Sequence, residues 1–304
     1  MRILFIMWVG LCGVVHAHEI KGSGNILIQG NSNKVEESAA PSKASNAPGE
    51  SPQAIADEKK ELANSADTGH SRLLILTATN YETKKIHKEA EKVGLKIAKE
   101  AVRDQVVYNM GTLGGVEVFH MQTGMMGMLE PNATPLALMS VFRDIHPQYV
   151  VSTGIAFGNK GKGQTLGDIL ISRQVANYET RKEKNGEILS RGDKVTSPML
   201  PLVNASIHNW KGAKVHQGLT LSGNALVNSE SFLHYLAQRE PEYLGGDMEA
   251  YGVYSVSSMM GAKWVMIKGI SDWGDGTKND AFHSIALHNA GQFIFHMIQD
   301  GNLK

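Results

Sequence analysis

Residues 246–272 read GDMEAYGVYSVSSMMGAKWVMIKGISD and hold the pattern that decides the fold. Apolar residues in the first half recur at the 3.6-residue period of a helix, which we predict over residues 249–259. Residues 264–267 form a short, continuous apolar run, which is typical of a strand buried on both faces. The segment therefore predicts a helix that leads into a buried strand, with Ser271 and Asp272 just beyond that strand.

The same alternation of apolar strands and helical segments recurs through the rest of the chain. Further strands are predicted at residues 72–78, 116–121, 149–152, 168–172 and 217–221, and further helices at 82–93, 135–142, 230–238 and 282–298. Continuous apolar strands that alternate with helices indicate a mainly parallel sheet covered on both faces. We therefore predict a single α/β domain over residues 71–304, a three-layer αβα arrangement around a central, mostly parallel, twisted sheet.

The first 70 residues have a different composition. Residues 1–17 carry Arg2, then an apolar run, and end on the small-residue pattern VHA, which predicts a secretory signal peptide cleaved before His18. The apolar run is too short to span a bilayer comfortably, so an uncleaved anchor is the weaker alternative. Residues 18–70 comprise a short segment and a linker poor in aromatic and large aliphatic side chains, a composition typical of disorder. We expect a secreted or periplasmic protein that has no membrane attachment after cleavage.

Charge and cysteine content exclude several classes of function. The 304 residues include 30 Lys and Arg against 30 Asp and Glu, so the formal net charge is zero. This balance argues against an electrostatically driven nucleic-acid-binding protein. Cys12, the single cysteine, lies in the predicted signal peptide, so the mature protein has no thiolate nucleophile or disulfide. The histidines show no metal-binding spacing, and we predict neither a metal nor another cofactor.

Polar or glycine-rich sequence follows four of the predicted strands. These stretches are ATNYE at 78–82, STGIAFG at 152–158, LSGNA at 221–225 and KGISD at 268–272, and a fifth, GDMEA at 246–250, opens a helix. Because ligands of such sheets bind beyond the carboxyl ends of the strands, these stretches form the candidate site. Plainer interpretations also exist, with Glu82 as a favourable first-turn helix residue, Asp272 as a turn aspartate and Glu249 as a solvated helix residue.

The order and spacing of these stretches resemble the nucleoside phosphorylase and nucleosidase superfamily. The resemblance covers residues 71–298 and rests most on DMEA at 247–250 followed by ISD at 270–272. Within the superfamily the chain is most similar to the methylthioadenosine/adenosylhomocysteine nucleosidases and to related domains attached to signalling proteins. The resemblance implies hydrolysis of the N-glycosidic bond of an adenine-type nucleoside or 5′-substituted nucleoside to free base and ribose.

The resemblance also implies roles for three carboxylates. Asp272 would be the general acid that protonates the departing purine, Glu82 would activate the attacking water, and Glu249 would accept hydrogen bonds from ribose hydroxyls. The other residues implied to bind substrate surround these carboxylates: Met248, Ala156, Phe157, Leu226, Val227, Ser271 and Lys268. Leu226 replaces an aromatic residue that often covers the purine, and Lys268 replaces an arginine that steadies the site. These two replacements leave the identity of the preferred base undetermined by the sequence.

Two departures from the phosphorylases favour hydrolysis. Phosphorylases of the superfamily usually bind phosphate through an arginine where this chain has Ser152, and through a G-D-P turn where it has ATN at 78–80. We therefore predict a purine nucleosidase with water as nucleophile. A phosphate-dependent nucleoside phosphorylase and a non-catalytic nucleoside- or nucleotide-binding sensor stay as alternatives.

Two further expectations concern partners. The basic stretch GNKGKG at 158–163 is either a flexible surface turn or a place where Lys160 or Lys162 meets the phosphates of a nucleotide. Because related enzymes commonly form dimers or larger assemblies, we expect a homodimer or larger homo-oligomer. The expected ligand is a small nucleoside, and we expect no nucleic-acid partner.

Overall fold

A computed structural model describes residues 71–301 and 303, except for residues 104, 125–126, 129–132, 186 and 278–279. The predicted signal peptide at residues 1–17 and the predicted linker within residues 18–70 lie outside the described residues. None of the helices among the described residues is long and apolar enough to cross a membrane.

The secondary structure alternates between strands and helices along most of the chain. The strands are β1 (Ser71–Thr77), β2 (Ala98–Val102), β3 (Gln105–Leu113), β4 (Val116–Gln122), β5 (Tyr149–Gly158), β6 (Ile169–Asn177), β7 (Arg181–Lys184), β8 (Glu187–Ser190), β9 (Lys194–Thr196), β10 (Val215–Ser222), β11 (Gly245–Asp247) and β12 (Lys263–Asp272). The helices are α1 (Asn80–Lys92), α2 (Thr134–Ile145), α3 (Leu200–Asn209), α4 (Glu230–Arg239), α5 (Ala250–Met259) and α6 (His283–Gln299). All five predicted helices are present, and α3 is an additional helix.

Ten of the described strands form one sheet with a parallel centre. Its order is β11-β10-β6-β12-β5-β1-β4-β3-β2, and β9 pairs with β6. The pairs β4–β1, β1–β5, β5–β12 and β6–β10 are parallel. The pairs β2–β3, β3–β4, β6–β9 and β6–β12 are antiparallel, so the sheet is mixed. Strands β7 and β8 form a separate hairpin.

Strand β11 closes one end of the sheet on itself. It pairs with β10 and also, in antiparallel sense, with β5, so β5, β12, β6, β10 and β11 form a ring. The close approach needs glycines, because a Cβ on Gly245 would overlap the carbonyl oxygen of Phe157 and a Cβ on Gly246 would overlap its ring. The ring supplies hydrogen-bonding partners to the ends of β5 and β12, which therefore continue to residues 158 and 272. The stretches 152–158 and 268–272 are strand and not loop.

Helices cover both faces of this sheet. Leu73 and Ile75 of β1 pack in one core with α1, α3 and α6, whereas Leu74 and Leu76 pack in a second core with α2 and α5. Successive strand residues point to opposite faces, so a strand that is covered on both sides is apolar at every position. The predicted αβα fold is confirmed, and the same alternation explains the continuous apolar runs in the sequence.

Candidate active site

Residues from several distant segments meet in one cavity at the carboxyl ends of the parallel strands. The lining comprises Ala78, Glu82, Ile155, Ala156, Phe157, Ala225, Leu226, Val227, Gly246, Asp247, Met248, Glu249 and Asp272. Eight of the ten site residues predicted from the sequence are in this lining. The other two, Ser271 and Lys268, are hydrogen-bonded to Asp272 and Glu249 respectively. The structure thus brings all ten residues together, and their catalytic roles stay predictions.

Glu82 holds its carboxylate where β1 ends and α1 begins. Thr79 caps the helix, with its hydroxyl oxygen accepting from the Glu82 amide at 3.2 Å. In return, Glu82 Oε2 accepts from the amides of Ala78 at 3.0 Å and Thr79 at 2.8 Å, which completes a capping box. Glu82 Oε1 accepts from the Ile155 amide of β5 at 3.1 Å. The plainer interpretation of Glu82 therefore also holds, since one carboxylate both caps the helix and lines the cavity.

Gly154 allows this carboxylate to approach β5. Its φ of +141° is a conformation that side chains rarely adopt, and a Cβ there would overlap Glu82 Oε1. Glycine is thus needed at position 154 because the Glu82 carboxylate occupies the space that a side chain would fill.

Glu249 belongs to a buried cluster of charges. Lys268 Nζ donates to Glu249 Oε2 at 2.6 Å and lies 2.9 Å from Asp247 Oδ2, while the Gly127 amide donates to Glu249 Oε1 at 3.2 Å. Burial raises the pKa of the Glu249 carboxyl above its usual value, although Lys268 opposes this shift. Burial alone would lower the pKa of Lys268, but the carboxylates of Asp247, Glu249 and Glu82 outweigh burial and raise it. Lys268 is therefore a cation at neutral pH.

Asp247 also lines the cavity, although its role is not evident from the sequence pattern DMEA. Its carboxylate pairs with Lys268 and also accepts from the Ala250 amide at 3.2 and 3.1 Å, which caps the start of α5. Asp247 lies two residues before the N-cap Glu249, so the bond to Ala250 is local in sequence but is not the usual N-cap bond. Its pairing with Lys268 has no local sequence signal, because the two residues belong to different strands.

Asp272 ends β12 and is 9% exposed, so it faces the cavity rather than bulk solvent. The Ser271 hydroxyl donates to its Oδ2 at 2.8 Å, and the Gly274 amide donates to its Oδ1 at 2.9 Å. Both donors are neutral. These two hydrogen bonds hold the orientation of the carboxyl group.

Part of the cavity lining is apolar. Ala156, Phe157 and Val227 are buried, whereas Leu226 is 61% exposed and lies at the rim. The Tyr178 hydroxyl donates to the carbonyl of Ala225 at 3.1 Å and so ties this loop to the end of β6. A lining that combines apolar side chains with carboxylates fits a ligand that has both a flat base and hydroxyl groups.

The lysines of the stretch 158–163 have partners within the protein. Lys160 forms an ion pair of 2.5 Å with Asp275, and this hydrogen bond, together with those from Thr277, lowers the pKa of the Asp275 carboxyl to about 2. Lys162 donates to the carbonyl of Pro241 at 2.8 Å. The residues described as lining the cavity include four acids and neither arginine nor lysine. Nor does any group of three or more His, Cys, Asp or Glu side chains in the described part of the chain form a potential metal site.

Comparison with known proteins agrees with this geometry. The model of the family described as "Phosphorylase superfamily" matches residues 72–299. A death domain-containing ATP nucleosidase of Amphimedon queenslandica is 27% identical over 274 residues, which cover 80% of this chain and 51% of that protein. A 5′-methylthioadenosine/S-adenosylhomocysteine nucleosidase of Haemophilus influenzae is 26% identical over 198 residues, which cover 62% of this chain and 83% of that protein. The chain thus spans about half the length of the Amphimedon relative.

A solved structure shares the fold. The 5′-methylthioadenosine/S-adenosylhomocysteine nucleosidase of Neisseria meningitidis, in complex with methylthio-immucillin-A, superposes with a TM-score of 0.65 at 20% identity. The match covers 76% of this chain and 99% of that one. The family match extends over most of the domain that holds the cavity, and the resemblance noted in the sequence is confirmed: the chain belongs to the phosphorylase superfamily.

Proposed function

We propose that the protein hydrolyses the N-glycosidic bond of an adenine-type nucleoside that carries a hydroxyl or a larger substituent at its 5′ position. The observation that carries the proposal is the presence of Glu82, Glu249 and Asp272 around one cavity. Three carboxylates in one partly buried site cost free energy through desolvation and mutual repulsion, so the arrangement is best explained by a chemical task.

The proposed reaction divides this task among the three side chains. Asp272 gives its proton to N7 of the purine as the bond to C1′ breaks, so the electron pair of that bond leaves with a neutral base. A water molecule bonds to C1′ from the opposite face and loses a proton to Glu82. Glu249 accepts hydrogen bonds from the ribose hydroxyls, and its charge makes these bonds stronger than a neutral acceptor would.

The hydrogen bonds of Glu82 suit this role. Three donors occupy Oε2, the amides of Ala78 and Thr79 and the Thr79 hydroxyl, whereas Oε1 has the Ile155 amide. A carboxylate oxygen has two lone pairs, so Oε1 keeps one to accept from a water molecule. The carboxylate is thereby held in place with one lone pair directed to the attacking water.

Electrostatics favour water over phosphate as the nucleophile. Ser152 occupies the position where phosphorylases carry a phosphate-binding arginine. Lys268, the cation that contacts two of the site's carboxylates, is already paired with both of them. A phosphate ion would therefore enter a cavity of net negative charge, at a considerable electrostatic cost.

The relatives support an adenine nucleoside as substrate. Both sequence relatives described above have names that specify nucleosidases, one for ATP and one for methylthioadenosine and adenosylhomocysteine. These compounds share adenosine and differ at the 5′ position. We therefore extend the proposal to adenosine with a variable 5′ group.

The test is to incubate the protein with adenosine, inosine, methylthioadenosine, adenosylhomocysteine and ATP, each with and without inorganic phosphate. We expect adenine and a free ribosyl product, at a rate independent of phosphate, as measured by chromatography and mass spectrometry. A strict phosphate requirement with ribose 1-phosphate as product would refute hydrolysis. Binding by calorimetry without release of base from any compound would instead indicate a sensor.

We also propose export and self-association, which concern the protein as a whole. Export rests on the signal-peptide pattern of residues 1–17 and is tested by the amino-terminal sequence of protein recovered outside the cytoplasm, expected to begin at His18. Self-association is tested by the mass in solution from light scattering, expected to be that of a dimer or larger.

A further inference from the structure

A buried polar cluster lies next to Glu82 and has no part in the proposed chemistry. His120 of β4 is fully buried, and Thr77 of β1 and Thr83 of α1 are almost so. His120 Nε2 lies 3.0 Å from Thr77 Oγ1, and its Nδ1 lies 3.1 Å from Nε2 of His87 on α1. The Thr77 and Thr83 hydroxyls are 2.7 Å apart. Desolvating so many polar groups costs free energy unless each is paired, and here each is.

The direction of every hydrogen bond in this cluster follows from counting protons. Thr83 donates its one proton to Gln122 Oε1 at 3.3 Å, so the proton between the two threonines must come from Thr77. Thr77 then has no proton for His120, so His120 Nε2 donates to Thr77. His120 Nδ1 is consequently an acceptor, and His87 Nε2 donates to it.

His120 is therefore a neutral imidazole of one tautomer. Its buried position agrees, since burial lowers the pKa of His120 well below the usual 6.5. The edge of the His87 ring meets the Tyr108 and His120 rings at centroid distances of 4.5 and 4.8 Å, which fixes both imidazoles between α1, β3 and β4.

This chain of hydrogen bonds ends beside the bonds that hold the Glu82 carboxylate. The Thr77–Thr83 bond joins the last residue of β1 to the first turn of α1. One residue further on from Thr77 and one residue back from Thr83, the Ala78 amide donates to Glu82 Oε2 at 3.0 Å. The Thr77–Thr83 and Ala78–Glu82 hydrogen bonds are therefore neighbours, and both connect the end of β1 to the start of α1. A shift of α1 at Thr83 would move the Glu82 carboxylate relative to the Ile155 amide.

We propose that His120 is a positioning residue for Glu82, acting through Thr77 and Thr83. The inference rests on the proposed function, because it assumes that the placement of Glu82 limits the chemical step. Since a displacement of 1 Å can cost on the order of a hundredfold in rate, a partial loosening should cost about tenfold.

The experiment compares four single variants of the full-length protein, and one double variant, with wild type. His120→Leu removes the donor and acceptor, Thr83→Val removes one hydroxyl with little change of shape, and His120→Gln restores a donor and an acceptor. His234→Leu is the control, because His234 is an exposed histidine on α4. For each, kcat and KM are measured with the best nucleoside and referred to the concentration of folded protein. Exchange of the Ala78 and Ile155 amide protons, both bonded to Glu82, is measured by NMR.

We expect His120→Leu and Thr83→Val each to lower kcat about tenfold with KM within about twofold, and to speed exchange of both amides. His120→Gln should recover most of the rate, and the His120→Leu/Thr83→Val double variant should be little worse than either single variant, since both break one chain. Unchanged kcat per folded molecule with unchanged exchange, or a rise in KM alone, would overturn the inference. If His120→Leu fails to fold, kcat and amide exchange of Thr83→Val alone test the inference.

If the proposed hydrolase function is wrong, the measurements differ from those expected if only the positioning role is wrong. In that case wild type itself releases no base from any nucleoside, whereas amide exchange still reports whether His120 holds Glu82. Unchanged exchange in Thr83→Val would then refute the positioning role on its own.

Discussion

Glu82 and Glu249 line the same cavity, but their surroundings hold them by opposite means. Glu82 is bound by neutral donors, namely three backbone amides and a threonine hydroxyl. Glu249 is bound chiefly by the ammonium group of Lys268, which Asp247 shares. One region thus fixes a carboxylate with dipoles, and the other fixes it with a full countercharge.

The difference matters because a substitution affects a set of backbone hydrogen bonds and a buried ion pair in different ways. A hydrogen bond to a backbone amide cannot be removed by changing one side chain, so we expect single substitutions around Glu82 to cost less free energy of unfolding. A buried ion pair depends on both partners, and the loss of one leaves an uncompensated charge in a medium of low dielectric. The direct contact with Lys268 restrains Glu249 from acting as a base, which fits a binding role, whereas Glu82 is hydrogen-bonded, among the described residues, only to neutral donors.

The largest effect is expected from Lys268→Met, which removes the countercharge of the second region. Asp247 and Glu249 would remain buried without a cation, at a cost of about 3–5 kcal/mol in the free energy of unfolding at neutral pH. The loss should be smaller in acid, because Glu249 has a raised pKa and can take up a proton. Urea denaturation at two pH values measures both effects.

Lys160→Met is the matched control for this prediction. Lys160 also forms a short ion pair, with Asp275, but its side chain is 58% exposed. Exposed pairs contribute about 0–1 kcal/mol, so the control should unfold at nearly the wild-type urea concentration. Equal losses in the two variants would show that burial does not distinguish the two pairs.

A second prediction separates the two carboxylates by kinetics. Glu82→Gln, and likewise Asp272→Asn, should lower kcat at least about a hundredfold, the typical contribution of a general base or acid. Glu249→Gln should instead raise KM as well as lower kcat, because it weakens ribose binding. Steady-state rates with the best nucleoside measure the split. Near-normal turnover in Glu82→Gln or Asp272→Asn would contradict the assigned roles.

The smallest effect concerns pH and the region of Glu82. Burial lowers the folded-state pKa of His120 well below 6.5, so below pH 6.5 the unfolded chain binds a proton that the folded protein does not. The contribution of His120 to the free energy of unfolding is therefore fully present above pH 6.5. It falls as the pH decreases, by at most about 1.4 kcal/mol per pH unit. Thermal unfolding between pH 8 and pH 5 measures the slope.

The same series with His120→Gln isolates the contribution of His120. The groups facing His120 are His87 on α1 and Tyr108 on β3, and His87 itself has a pKa lowered by burial, with Glu91 opposing. The variant should therefore have a shallower but not flat dependence below pH 6.5. An unchanged slope would mean that His120 takes up a proton in the folded protein as well, or that another group controls stability in acid.

Much of the domain could be predicted from local sequence patterns. The helix predicted over 249–259 is α5, Ala250–Met259, and the apolar run at 264–267 lies in β12. Strands β5 and β12 were predicted too short because their ends are glycine-rich and polar, and their pairing partners are distant in sequence. Strand β11, Gly245–Asp247, has no apolar residue, so periodicity could not identify it.

Local patterns in the chain suffice to predict the alternation of elements, the two-sided burial of the central strands and the stretches that supply the site, because hydrophobic periodicity and capping are local properties. The pairing of charges and hydroxyls around those stretches depends instead on tertiary packing. Lys268 meets Asp247 and Glu249, Gly154 makes room for Glu82, and His120 reaches Thr77 because the sheet closes and the helices pack in one particular way. Such pairings depend on distances of about 3 Å between residues far apart in sequence, which no local pattern specifies.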